Sequence, residues 1–251
     1  MLLPKEHGSW SLALEPIALG LLVAPSVAGG WLAVASIAGF FSRRPLKLLW
    51  RDPRPERRAT ARGAFAMLSV LAGAGAFAAL AFAGPGLALW LAPAAVAGAA
   101  FLWFDLRNEM RAGAAEIAGA TAFAFVPGAM AAAAGWPVWP AVALSAAILG
   151  RAVPTVLTVR SYLRAAKTAE ASIVPALAAS GLAVVVAAMF VDYRTMPLAV
   201  VIALGVLLVR SVVLLCAAPK FRARTLGFFE LAVGAGFVLT TALAWRFFGK
   251  A

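Results

Sequence analysis

Residues 42–62 read SRRPLKLLWRDPRPERRATAR, and residues 63–83 read GAFAMLSVLAGAGAFAALAFA. The first stretch is crowded with Lys and Arg, and the second carries no charge. An apolar run of that length crosses about 30 Å of hydrocarbon as a helix. A basic segment beside it fits the excess of Lys and Arg that marks cytoplasmic loops. The same alternation recurs along the chain. With the N-terminus, 43–62, 105–113, 151–168 and 210–224 taken as inner loops, only Arg194, Arg246 and Lys250 of the 22 basic residues fall elsewhere. The fold class is therefore all-α: a polytopic transmembrane helix bundle, with 1–251 forming a single integral membrane helical domain.

About nine helices are expected, at 9–24, 29–42, 63–83, 86–104, 113–133, 137–157, 172–191, 196–217 and 225–247. The odd number puts the N-terminus inside and the C-terminus outside. The outer connections are short and rich in Gly and Pro, which stop helices: Ala24–Gly30, Gly84-Pro85-Gly86, Gly135-Trp136-Pro137 and Asp192–Thr195. Trp31, Trp90, Trp136, Trp139 and Trp245 are expected at the outer boundary, where aromatic belts form. Frequent Ala and Gly within the spans read as close helix packing in lipid.

Composition agrees. The chain is 64% hydrophobic and 13% charged, against about 25% charged in a soluble domain. A net charge of +12 raises nucleic acid as a partner, but the basic residues are interleaved with spans and not gathered on a soluble module, so nucleic acid is rejected. Anionic lipid headgroups are the expected partner. Cys216 is the one cysteine and His7 the one histidine, so neither a disulfide nor a Cys or His metal cluster is expected. No cleavable signal peptide is expected, because Lys5 and Glu6 precede an apolar run that continues into further spans.

Charges inside spans are the sharpest local signals, each costing about 2.5–3.5 kcal/mol at the bilayer centre unless paired or near water. Glu15, Glu116 and Glu230 are three such carboxylates; Arg151 and Arg210 are two such cations. Glu116, Glu230, Arg151 and Arg210 are expected to converge on one cytoplasmic-side polar cavity, with pairwise structural salt bridges as the alternative. Arg43, Arg44 and Lys47 form either a phosphate-binding mouth or a headgroup-contacting loop. Arg160, Arg164 and Lys167 stand at i, i+4 and i+7, a cationic stripe if that segment is helical. Lys5, Glu6 and His7 carry more polar chemistry than an interfacial anchor requires. They are expected to fold over the cytoplasmic mouth near Arg43, Arg44 and Arg151, where Lys5 and His7 would complete an anion's shell.

The opening Pro4-Lys5-Glu6-His7-Gly8-Ser9-Trp10, the length, and Arg44-Pro45-Leu46 resemble the YwiC-like family of bacterial membrane proteins. The resemblance implies a multi-pass protein of the bacterial inner membrane and supplies little mechanism. The helix number, the charged loops after the second and sixth helices, and Glu15-Pro16-Ile17-Ala18-Leu19-Gly20 look more distantly like the UbiA-type membrane prenyltransferases. Those enzymes hold a prenyl diphosphate through Mg²⁺ on two Asp-rich motifs. This chain departs at both places: Ser42-Arg43-Arg44-Pro45-Leu46-Lys47 stands at the first, and Arg160, Arg164 and Lys167 at the second. Mg²⁺ takes oxygen ligands, which Arg and Lys cannot supply. No protein-bound metal or other cofactor is expected, and Mg²⁺ enters only with a diphosphate ligand.

Three functions follow. The first is a UbiA-like scaffold with a basic cytoplasmic-side cavity that binds a membrane lipid or other anionic amphiphile, with or without prenyltransferase-like catalysis. The second is a small-anion transporter. The third is a non-catalytic structural or assembly protein. The substrate, the reaction and the oligomeric state stay open.

Overall fold

The computed structural model describes residues 7–110, 112–168, 172–217, 219 and 221–248. Among them the secondary structure is helical throughout: α1 (His7–Val23), α2 (Val27–Arg51), α3 (Pro55–Ala83), α4 (Leu87–Leu106), α5 (Gly113–Ala124), α6 (Val126–Ala133), α7 (Val138–Thr168), α8 (Val174–Asp192), α9 (Leu198–Val212) and α10 (Ala223–Phe248), with a π-helical turn at Val213–Ala217 after α9. Because α5 and α6 run on as one stretch, Gly113–Ala133, these match the nine expected segments among the described residues. Seven are long and apolar enough to cross a membrane. The protein is a multi-pass membrane protein built of helices.

The boundaries follow from sequence chemistry. Ser26 caps α2 by accepting the Gly29 N–H at 2.9 Å. Gly84 ends α3 and Gly135 follows α6, each at positive φ, where a side chain would be strained. The segment 43–62, expected as a loop, is instead almost wholly helical: α2 runs through Arg51, α3 begins at Pro55, and only Asp52-Pro53-Arg54 interrupt them. Asp52 and Arg54 each precede a proline, which disfavours the helical region for both. They adopt ψ of 121° and 118°. Pro55 suits the first turn of α3, where its missing N–H has no partner to lose. The expected loop 151–168 is also helix, as α7 continues through Thr168. Arg, Leu, Ala and Lys are good helix formers, so charge ends a membrane span without ending a helix.

The chain divides into two compact units, residues 1–136 and 137–251. In the first, α2 and α3 form a long hairpin and α6 packs among α1, α2 and α4. Its core joins Ile17, Leu32, Ala79, Leu87, Val126 and Met130. Gly75 sets the hairpin spacing, since a Cβ there would lie 3.0 Å from the Trp31 carbonyl oxygen and 3.1 Å from the Ala35 nitrogen. In the second unit α8 packs against both α7 and α9, and α9 also meets α10. Gly150 lets α7 approach α8, a Cβ there lying 3.1 Å from that of Ala183.

Large apolar side chains remain exposed along whole helices. Phe77 on α3 is 75% exposed and Leu89 on α4 is 79% exposed. In water that would be an aggregation surface; in a bilayer it is the lipid face. Trp31 and Trp139 are exposed, as an interfacial belt requires, but Trp245 is buried. It falls on the inward stripe of α10 with Phe237, Thr241 and Ala242, so it is a packing residue.

Candidate functional site

Among the described residues the polar chemistry gathers in two places, one per unit. In the first unit it lies at the tip of the α2–α3 hairpin and the adjoining end of α4. Lys47 reaches Asp105 at 2.7 Å, with the Asp105 side chain 9% exposed. One turn further on, the Nε–H of Arg51 donates to the Leu106 carbonyl at 2.8 Å. This satisfies an acceptor that the end of α4 leaves open and places a cation at the negative end of that helix. Two side chains one turn apart on α2 thus pin its end to that of α4.

Arg43 is held differently. Its guanidinium lies 4.5 Å from the Phe40 ring centroid and 4.7 Å from that of Phe101, and its Nε–H donates to the Phe40 carbonyl at 3.2 Å. Gly119 on α5 makes room for this arrangement, since a Cβ there would meet the Phe101 ring at 3.1 Å. A planar cation between two rings gains from both. Arg43 is therefore buried in an aromatic slot and is not a rim residue of a mouth.

The turn between the helices is locked by Asp52. Arg54 donates to both of its carboxylate oxygens at 2.9 Å, the Arg54 backbone N–H adds a bond at 3.0 Å, and Arg57 stands 3.8 Å away. The side-chain hydrogen bonds from Arg54 are the largest of the effects that hold the Asp52 carboxyl at about 2, below its ordinary 3.8. In turn, Asp52 raises the pKa of Arg54. Arg44, Lys47, Leu48, Arg51, Asp52, Pro53 and Arg54 line one open depression of about 350 Å³.

In the second unit the cluster is buried within the spans. The Arg210 guanidinium meets Glu230 Oε2 at 2.6 Å and donates to Thr155 at 3.0 Å. Arg151 donates to the Glu230 backbone carbonyl at 3.3 Å. Thr158 donates to Ser211 at 3.1 Å, and Ser211 donates on to the Leu207 carbonyl at 2.9 Å. Further along α7, Tyr162 donates to the Pro219 carbonyl and accepts from the Phe221 N–H. These groups occupy one face of α7, where 151, 155, 158 and 162 follow the i, i+4, i+7, i+11 spacing.

The structure thus brings Arg151, Arg210 and Glu230 together. Glu116 belongs to the first unit, in the opening turn of α5, where a carboxylate suits the helix dipole. Arg44 and Lys47 share the depression. Arg160 and Arg164 lie on the helical continuation of α7, half-buried and exposed respectively, and Lys167 follows on the same helix. Lys5 and Glu6 lie outside the described residues, and His7 opens α1.

Four participants are not among the candidate site residues drawn from the sequence. Asp105 is the partner of Lys47, and Thr155, Thr158 and Ser211 build the buried network. The helical spacing of the α7 hydroxyls was the available signal. As for a metal, Asp52 and Asp105 are committed to Arg54 and Lys47. Among the described residues no three of His, Cys, Asp and Glu gather at one place. The residues around the depression do not fit Mg²⁺, which needs oxygen ligands.

Residues 3–127 match the family described as YwiC-like protein. That stretch lies within the first unit and stops short of the second. No curated protein and no solved structure matches the chain. By its N-terminal half, a helical membrane segment with a basic hairpin tip, the chain belongs to the YwiC-like family.

Proposed function

We propose that the tip of the α2–α3 hairpin is a headgroup site for an anionic amphiphile at the cytoplasmic face of the bacterial inner membrane. The observation that carries this reading is the depression in which Arg44, Lys47, Arg51 and Arg54 stand together with Leu48 and Pro53. Cations and apolar groups in one surface hollow suit a ligand that is charged at one end and greasy at the other. Arg51 spends its Nε on Leu106, and its exposed side chain has further donors to offer. The apolar outer faces of α3 and α4 would receive the aliphatic part.

The fixed contacts serve the same purpose. Lys47–Asp105 and Arg51–Leu106 hold α2 against α4, and Asp52–Arg54 fixes the turn, so the donors are arranged before the ligand arrives. Preorganised donors lose little freedom on binding. The reading keeps the ligand class of the UbiA-type enzymes and leaves out their metal, because the cations themselves neutralise the headgroup. It is a binding function and includes no catalytic step.

Lipid analysis of the purified protein tests it, with added phosphatidylglycerol and an isoprenoid diphosphate as probes. An anionic amphiphile should copurify and be retained about tenfold less by Arg44→Gln/Arg51→Gln. Equal retention by wild type and variant, or binding of zwitterionic lipid alone, would exclude the reading.

A further inference from the structure

The ion pair in the second unit is incomplete. Arg and a carboxylate reach their best geometry as a fork on a fork, with two parallel hydrogen bonds. Here Arg210 and Glu230 meet through one nitrogen and one oxygen at 2.6 Å. The other carboxylate oxygen, Glu230 Oε1, is buried without a hydrogen bond, and so is Arg210 Nε. Both side chains are about nine-tenths buried. A carboxylate oxygen and a guanidinium N–H left unused away from water are costly. Their coexistence in one pair says that Glu230 covers only part of what Arg210 can bind.

Two further features mark the place as more than a strut. Thr155 and Ser211, whose hydroxyls can turn toward an anion, both lie within hydrogen-bond reach of Arg210. The helix carrying Arg210 widens into a π-helical turn at Val213–Ala217, directly after the cluster; such turns recur at functional sites.

From this geometry we infer that Arg210 is the centre of a binding site for a small monovalent anion, and that the Glu230 carboxylate occupies it as a tethered competitor. The charge class follows from the competitor: one carboxylate is the charge the site already accepts. The size class follows from the competitor as well: a single carboxylate, about the size of nitrate, is what the buried guanidinium already holds. This inference is independent of the amphiphile reading, which rests on the first unit.

Thermal unfolding of the full-length protein in detergent tests it, with sodium nitrate compared against sodium gluconate at equal ionic strength. A ligand that binds only the folded state raises Tm as its concentration rises. Wild type should show a small nitrate-specific rise. Glu230→Gln removes the tethered charge and should show a larger, saturable rise, with a midpoint about tenfold lower in nitrate. Arg210→Gln should show no difference between the two salts, which also subtracts any general salt effect. If Glu230→Gln does not fold, Glu230→Asp, which keeps the charge but draws it back by one methylene, takes its place. Identical Tm in nitrate and gluconate for the folded Glu230 variant would overturn the inference and leave a structural ion pair.

Discussion

Arg43 and Arg44 are neighbours in sequence and opposites in circumstance. Arg43 is 8% exposed and stacked between Phe40 and Phe101, while Arg44 lines the open depression. Lysine keeps the charge of either but loses the planar group that stacks on rings. Arg43→Lys should therefore destabilise the protein by about 1–2 kcal/mol, and Arg44→Lys by much less, as thermal unfolding in detergent will read. Asp52 makes a second prediction at this scale. Its carboxyl titrates at about 2 in the fold and at 3.8 without its partners. A depressed carboxyl stabilises the fold above its ordinary value, so the contribution is complete above about pH 4 and lost as pH falls toward 2. Carbon-13 chemical shifts of the Asp52 carboxyl should show a midpoint near 2 in wild type, moving up in Arg54→Ala; an unmoved midpoint would assign the depression to another group. None of this was legible from residue types alone. Eight basic residues in a row of 21 look alike until the fold stacks one, pairs some and leaves others exposed.

At the scale of the helix, the spans were legible because each boundary is a local change of composition. Gly84-Pro85-Gly86 and Gly135-Trp136-Pro137 interrupt apolar runs where α3 and α6 end. Hydropathy says where a helix leaves the hydrocarbon and is silent on whether the helix stops there. Hence 43–62 and 151–168 read as loops, although α2, with 25 residues, and α7, with 31, carry their charged ends onward as helix. The two prolines that force Asp52 and Arg54 into extended backbone did mark the real turn. The buried cluster was legible only in part: the spacing on α7 can be read from sequence, but the pairing of Arg210 with Glu230, twenty residues on, comes from the packing of α9 against α10. Orientation belongs to the same scale. With basic ends held inside, Asp192–Thr195 and the C-terminus should lie outside. Reporter fusions at Arg194 and after Phe248 should give periplasmic signals, and fusions at Pro53 should give a cytoplasmic one; a cytoplasmic signal after Phe248 would reverse the reading.

Across the whole molecule, a net charge of +12 is carried on a chain that is 64% hydrophobic. The spans of α3, α4 and α8 are strongly apolar, and apart from the buried Arg151 and Arg210 the cations stand toward the helix ends and in the loops. The hairpin tip alone presents Arg51, Arg54 and Arg58 as exposed side chains. Each such cation near an anionic leaflet gains about 1 kcal/mol, and the gain falls off within a Debye length. This long-range attraction is distinct from a headgroup held in the depression, and salt separates the two. In nanodiscs the protein should unfold at a higher temperature in phosphatidylglycerol than in phosphatidylcholine. General attraction alone predicts that the difference vanishes at 1 M salt, where the Debye length is about 3 Å. A bound headgroup in direct contact with Arg44, Lys47 and Arg51 is screened much less, so part of the difference should survive. That surviving part should disappear in Arg44→Gln/Arg51→Gln and persist in Arg58→Gln, whose side chain lies outside the depression. If high salt erases the whole difference in wild type, the hairpin tip only steers the protein against an anionic surface, and no headgroup site exists there.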